Sequence, residues 1–157
     1  NLLRKAKRVE FYAMGNSRVV ALDGQHKFFR FRIPTSLYGD AHLFTLAAEL
    51  LKPGDVVIAI STAGQLPELI AAVDAARAAG ADVIAITSSK SVLAKKATVC
   101  LSVDHSEDST TFLSMISRIL QLLLIDIISV GISLGAQGEA GEGDADKRRL
   151  LISHLDI

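Results

Sequence analysis

Two short stretches hold the residues whose types and spacing suit chemistry. In Asp55-Val56-Val57-Ile58-Ala59-Ile60-Ser61-Thr62-Ala63-Gly64-Gln65-Leu66-Pro67-Glu68 an apolar, β-branched run gives way to small polar residues and a glycine. Pro67 and Glu68 then open an amphipathic helical pattern. That order reads as a buried strand, a tight turn and a helix N-terminus. A helix N-terminus offers unpaired backbone N–H groups and positive dipole charge, so an anion can bind there. Ser61 and Thr62 place two hydroxyls where a helix cap needs one. Gly64 lets the backbone approach the anion closely, and Pro67 suits the first helical turn. Phosphate is the anion this turn suits, and Glu68 simply complements the helix dipole.

The second stretch is Ala13-Met14-Gly15-Asn16-Ser17, which closes a strand-like run over residues 9–14. With one glycine it does not form G-x-G-x-x-G, and the chain holds no G-x-x-x-x-G-K-[ST] phosphate loop. By local pattern Ser17 reads as a helix cap as readily as a ligand contact. What decides between them is where the two turns lie in the fold.

The patterns that must position them alternate. Strands are expected at 9–14, 33–38, 55–60, 82–87 and 98–103, and helices at 17–31, 41–51, 67–79, 92–97 and 110–134. Asp40 is the expected cap of the second helix and Gly80 the stop of the third. Val19, Val20, Phe28 and Phe31 are core candidates, and residues 1–7 read as the end of a helix. Residues 104–109 form a polar loop, 135–146 a flexible Gly- and acid-rich linker, and 147–157 a tail. Such alternation implies an α/β fold: a flavodoxin-like three-layer αβα sandwich with a five-stranded parallel sheet in the order 2-1-3-4-5. Ligands then bind beyond the carboxyl ends of the strands, near the switch point between strands one and three. The two turns should flank one crevice.

Composition narrows the function. The chain has 157 residues, the size of one domain, and 17 positive residues balance 17 negative ones. That is not the basic footprint of a nucleic-acid-binding domain. The interleaved charges and aromatics around His26 fit a helix with one solvated face. His42 lies in a first helical turn, and neither these residues nor His105 and His154 make a metal-ligand spacing or a Ser/His/Asp arrangement. No cofactor is expected. Cys100, the single cysteine, reads as an inert thiol, and a reducing cytoplasm is the expected location. Gln121 and Asp126 interrupt the longest apolar run, which argues against a membrane span. The long last helix is nonetheless apolar on more than one face, through Phe112, Met115, Ile116, Ile119, Leu120, Leu122, Leu123, Leu124, Ile127 and Ile128. One side must meet the sheet; the other is expected to meet a second copy.

The segments Arg8-Val9-Glu10-Phe11-Tyr12-Ala13-Met14-Gly15-Asn16-Ser17, Asp40-Ala41-His42 and Lys52-Pro53-Gly54-Asp55-Val56-Val57-Ile58-Ala59-Ile60-Ser61 carry a resemblance. They are followed in order by Ala81-Asp82-Val83-Ile84-Ala85-Ile86-Thr87, Ser91-Val92-Leu93-Ala94 and Ser117-Arg118-Ile119-Leu120-Gln121-Leu122. Over about residues 8–134 the chain resembles the sugar isomerase (SIS) domain of RpiR-type bacterial transcription regulators. The resemblance implies a phosphosugar-binding, often dimeric fold with sites near the subunit contact, preceded in the regulators by a helix-turn-helix DNA-binding domain. A start at Asn1 rather than Met fits a piece of a longer protein. The family's glycine-flanked serine is matched by Ser17, and its S-x-S-G-x-T-x-E loop by Ser61, Gly64 and Glu68. Ala63 and Leu66 stand where the loop has serine and threonine, two hydroxyls fewer for a phosphate.

The expected function is therefore a phosphosugar-sensing effector and dimerisation domain of a regulator of sugar metabolism, not an enzyme. Its expected ligand is a phosphorylated sugar or sugar acid held by Gly15, Asn16, Ser17, Ser61, Thr62, Ala63, Gly64 and Gln65. DNA contact is expected only through a preceding domain. An aldose–ketose isomerase is the competing reading, with Glu68, His42 and Asp40 as the acid–base candidates near the crevice. A domain that dimerises without a ligand is the third.

Overall fold

The computed structural model describes residues 1–104 and 115–139. In chain order it comprises α1 (Leu2–Lys5), β1 (Val9–Ala13), α2 (Ser17–Arg30), β2 (Thr35–Tyr38), α3 (Ala41–Glu49), β3 (Val56–Ile60), α4 (Pro67–Ala78), β4 (Asp82–Thr87), α5 (Val92–Lys96), β5 (Val99–Ser102) and α6 (Met115–Glu139). The strands pair in parallel in the order β2-β1-β3-β4-β5, as the sequence pattern requires. Hydrophobicity explains who sits in the middle. Every residue of β1 and β3 is buried, whereas β2 is half-buried throughout and β5 is exposed at both ends. Runs apolar on both faces need cover on both faces, so they become central strands.

Alternation along the strands then divides the core in two. Phe11, Ile58, Ile60 and Ile86 face α2 and α6, meeting Val20, Phe28 and Ile125. Tyr12, Val57, Ala59 and Ala85 face the other layer, meeting Phe44 of α3, Leu69 and Val73 of α4 and Leu93 of α5. Phe11 and Phe28 meet edge to face at 5.4 Å, and Tyr12 stacks on Phe44 at 5.4 Å. Gly24 allows the close approach of α2: a Cβ there would stand 2.6 Å from the Phe11 ring and 3.3 Å from Ile125.

Three sequence expectations shift. β2 begins at Thr35, because Pro34 has no N–H for a ladder and offers its carbonyl to the Val9 N–H instead. Val19 is 53% exposed; the inner line of α2 is Val20, Ala21, Gly24 and Phe28, with Phe31 packed beside it. Helix α6 continues past 134 to Glu139, through the start of the expected linker. A helix already propagated passes a glycine at about 1 kcal/mol, and Gly135 is backed by the Arg4 side chain. The remaining linker, the tail, His105, His154, Phe112 and the first turn of the expected last helix lie outside the described residues.

Although Met115–Gly135 is long and apolar enough to cross a membrane, one line of α6 is buried in the domain: Ser117, Gln121, Ile125 and Ser129. Asp126 has a structural use, since Lys27 of α2 donates to it and, at 2.6 Å, to Asp23. The opposite line of α6 is uncovered. Ile116, Ile119, Leu123, Ile127, Val130 and Leu134 are each about half exposed or more.

Candidate functional site

β1 and β3 are neighbours, with Ala13 opposite Ile60. Turns 14–17 and 61–66 therefore leave the sheet side by side at its carboxyl edge, from strands about 4.8 Å apart. This is the point where the strand order reverses. The structure brings the two expected site segments together.

In the first turn Gly15 has φ 55°, a conformation that favours glycine. Its carbonyl accepts from the Arg18 N–H at 3.1 Å. Asn16 is the N-cap of α2 but makes no side-chain cap bond, and Ser17 is already the first helical residue. The capping reading of Ser17 therefore falls. Ser17 is half-buried, while Met14, Gly15 and Asn16 are exposed.

The second turn is more tightly built. The Gly64 N–H donates to Ser61 Oγ at 3.1 Å, and the Gly64 carbonyl accepts from the Leu93 N–H at 3.1 Å. Gly64 has φ 59°, and a Cβ would stand 2.3 Å from Thr87 Oγ1 and 2.5 Å from Ser91 Oγ. Both conformation and space thus demand glycine. The two hydroxyls beneath it lie 3.2 Å apart and are buried, and Ser91 Oγ also caps α5 by accepting from the Ala94 N–H. The loop is further held by Ser61 N–H on the Ile86 carbonyl and by Ser88 N–H on the Thr62 carbonyl. Beside it, Asp104 accepts from the Ser89 N–H at 2.8 Å and the Ser88 hydroxyl at 3.1 Å. Those bonds, the Ser89 N–H first, hold its carboxyl below the ordinary value.

Neither Ser61 nor Thr62 caps α4. Its N-cap is Leu66, which makes no side-chain cap bond; Pro67 follows, and Glu68 lies in the first turn. The start of this 12-residue helix is left without a side-chain cap, and its first-turn N–H groups and positive dipole end are of the kind that suits an anion. Leu66 packs against the α3–α4 core, which gives its apolar side chain a structural use in place of a ligand hydroxyl. Ala63 and Gln65 are exposed on the loop.

Thr62 has a partner that sequence reasoning passed over. Gln121 of α6, 1% exposed, donates from Nε2 to Thr62 Oγ1 at 3.2 Å. Thr87 and Ser91 were passed over likewise. Gln121 did leave a signal: a polar residue inside an otherwise apolar helix needs a buried partner.

The acid–base candidates near the crevice are solvated. Asp40 Oδ1 accepts from the His42 N–H at 2.8 Å as a helix cap, and Asp40, His42 and Glu68 are exposed. The buried carboxylates lie at the other end of the strands. Arg8 ion-pairs with Glu10 at 3.2 Å and with Asp55 at 2.9 Å, and the Tyr12 hydroxyl donates to Glu10 at 2.7 Å. Burial pushes Glu10 above the ordinary carboxylate value despite Tyr12 and Arg8, and burial and Glu10 push Tyr12 up strongly. Cys100, half-buried on β5, is pushed up by burial and then by Asp104, which keeps it a thiol. Among the described residues no three His, Cys, Asp or Glu side chains are grouped to hold a metal ion.

Residues 2–130 match the SIS domain family, and the chain belongs to it. It is 52% identical over 141 residues to Bifunctional protein glk of Burkholderia orbicola, covering 90% of this chain and 22% of that one. It is 37% identical over 134 residues to the HTH-type transcriptional regulator HexR of Pseudomonas aeruginosa, covering 85% of this chain and 47% of that one. The chain thus spans well under two thirds of these relatives. Among solved structures, the Vibrio vulnificus NanR protein complexed with ManNAc-6P superposes with a TM-score of 0.80 at 22% identity, over 99% of this chain and 59% of that one. That likeness shows the fold. The resemblance to regulator-type SIS domains read from the residues is borne out by HexR.

Proposed function

We propose that this domain senses a phosphorylated sugar or sugar acid for a bacterial transcription regulator of sugar metabolism. The phosphate is held by the 61–66 turn and the start of α4, and the sugar extends toward Gly15, Asn16 and Ser17. One observation carries this reading: two glycine turns meet at the switch point of a parallel sheet, beside a helix start that no side chain caps. The binding set is Gly15, Asn16, Ser17, Ser61, Thr62, Ala63, Gly64 and Gln65. The HexR likeness and the ligand in the NanR complex support the ligand class and the regulatory role. In the glk-type relatives the same module makes up 22% of a bifunctional chain, so it works there beside other parts. DNA contact belongs to such a further part, and the location is the cytoplasm. The outer line of α6 joins two copies. Sensing needs only different affinities in two states, and among the described residues no proton-transfer side chain is poised at the crevice.

The test is a thermal-shift screen of phosphorylated sugars, ManNAc-6P included, against their free sugars. At least one phosphosugar raises the melting temperature while free sugars do not. No shift at millimolar ligand would leave dimerisation as the domain's role, consistent with the hydroxyls absent at Ala63 and Leu66. Deuterium exchange from water into the sugar would establish the isomerase instead.

A further inference from the structure

We infer that Gln121 is a positioning residue that couples occupancy of the 61–66 loop to the outer face of α6, and so to the association of two copies. The inference rests on the sensing role proposed above and names how that site is regulated. Gln121 lies on the inner line of α6, 1% exposed, and its amide donates to Thr62 Oγ1 inside the loop. Two residues away along the chain on either side, Ile119 and Leu123 are 60% and 52% exposed on the outer line. A helix transmits a shift of one face to the other because its backbone bonds hold it rigid over a few turns. A ligand on the loop must meet or rearrange the Thr62 hydroxyl that Gln121 holds.

A second tie makes the placement more than one hydrogen bond. Asp126, five residues on, accepts from Lys27 of α2. Helix α2 starts at Ser17, the end of the other site turn. Lys27 lies in the last turn of that helix, so α6 is tied to the 61–66 loop through Gln121 and to the far end of α2 through Asp126, while its outer line carries the uncovered apolar residues. The occupant of that line is a second copy. The chain has no net charge to oppose self-association, and α2, which packs against α6, adds Val19, Leu22 and Phe29, each more than half exposed. By linkage, whatever ligand does to association, association does to ligand affinity by the same factor.

The experiment measures ligand affinity by calorimetry, with inorganic phosphate and with ManNAc-6P, at protein concentrations well below and well above the dimer midpoint found by sedimentation. The chain as given is compared with Gln121→Leu and Thr62→Val. For the unsubstituted chain the two affinities should differ by roughly two- to tenfold, the scale one neutral hydrogen bond sets. In Gln121→Leu the two values should converge while binding persists; Thr62→Val, within the proposed binding set, is read only by hydrogen exchange. Equal affinities in the unsubstituted chain overturn the coupling, as does a difference that survives Gln121→Leu. If neither probe binds the unsubstituted chain, the sensing role fails for these ligands, and hydrogen exchange then judges the coupling without one. Thr62→Val, a change on the loop, should speed amide exchange in α6 around residues 117–125. Unchanged exchange there overturns the proposal.

Discussion

Ser61 and Ser17 are the residues whose separate roles matter most for the proposed ligand. Ser61 holds the Gly64 N–H and sits in the turn that leads to α4, whereas Ser17 opens α2 beside a looser turn. Ser61→Ala should therefore weaken phosphosugar binding more than Ser17→Ala. Loss of a hydrogen bond to a charged group costs roughly 1.5–3 kcal/mol, about ten- to hundredfold in affinity, which titration calorimetry resolves. The reverse ranking would mean the phosphate and sugar ends are exchanged. Tyr12 carries a different prediction. Its hydroxyl supports a buried carboxylate, so Tyr12→Phe should destabilise by about 1.5–3 kcal/mol at neutral pH in urea unfolding. The pH dependence has a definite sign. Glu10 is raised above its unfolded value, so its contribution to stability is fully present below that value and declines as pH rises through the folded one. Removing the Tyr12 donor raises Glu10 further. The deficit of the variant should thus narrow in acid and widen toward neutrality; a deficit independent of pH would show that Glu10 is not the cause.

Two glycines on neighbouring helices make opposite predictions for the same substitution. Glycine to alanine in a helix interior gains about 1 kcal/mol in propensity. At Gly24 the new methyl would stand 2.6 Å from the Phe11 ring, and overpacking a core costs about 1–3 kcal/mol. At Gly131 a Cβ meets nothing within 4 Å. Gly24→Ala should therefore lower the urea midpoint and Gly131→Ala raise it, measured at protein concentrations low enough to hold the monomer. Equal signs would show that the packing of α2 on β1 is looser than the structure has it. The central strand and α4 were legible as elements because their patterns are long and end in proline and glycine. What their sequence did not show is that the cap of α4 is Leu66. The loop between Ile60 and Pro67 closes on Thr87 and Ser91 of another segment, and that contact moves Ser61 and Thr62 away from capping positions.

For the whole molecule, the decisive quantity is association. The outer line of α6 should place two chains face to face, giving a dimer at micromolar concentration by light scattering. Leu123→Lys with Ile127→Lys should return a folded monomer, since both positions are more than half exposed and outside the core. A monomer before substitution would remove the dimer from this account.

The sequence by itself determined the strand order, the burial of β3, and the two turns at the sheet's carboxyl edge. Those follow from local periodicity and from the handedness of parallel crossovers, both written in neighbouring residues. Tertiary structure alone decided what each polar group does. Gln121 and Asp126, which read as interruptions of an apolar helix, became ties to Thr62 and Lys27. Leu66 became a core residue as well as a cap. Val19 turned outward because α2 packs through Val20, Ala21, Gly24 and Phe28. Local pattern marks Gln121 as a polar residue in need of a partner but does not name one 59 residues away along the chain. That pairing exists only when the folded sheet brings the two segments to one edge.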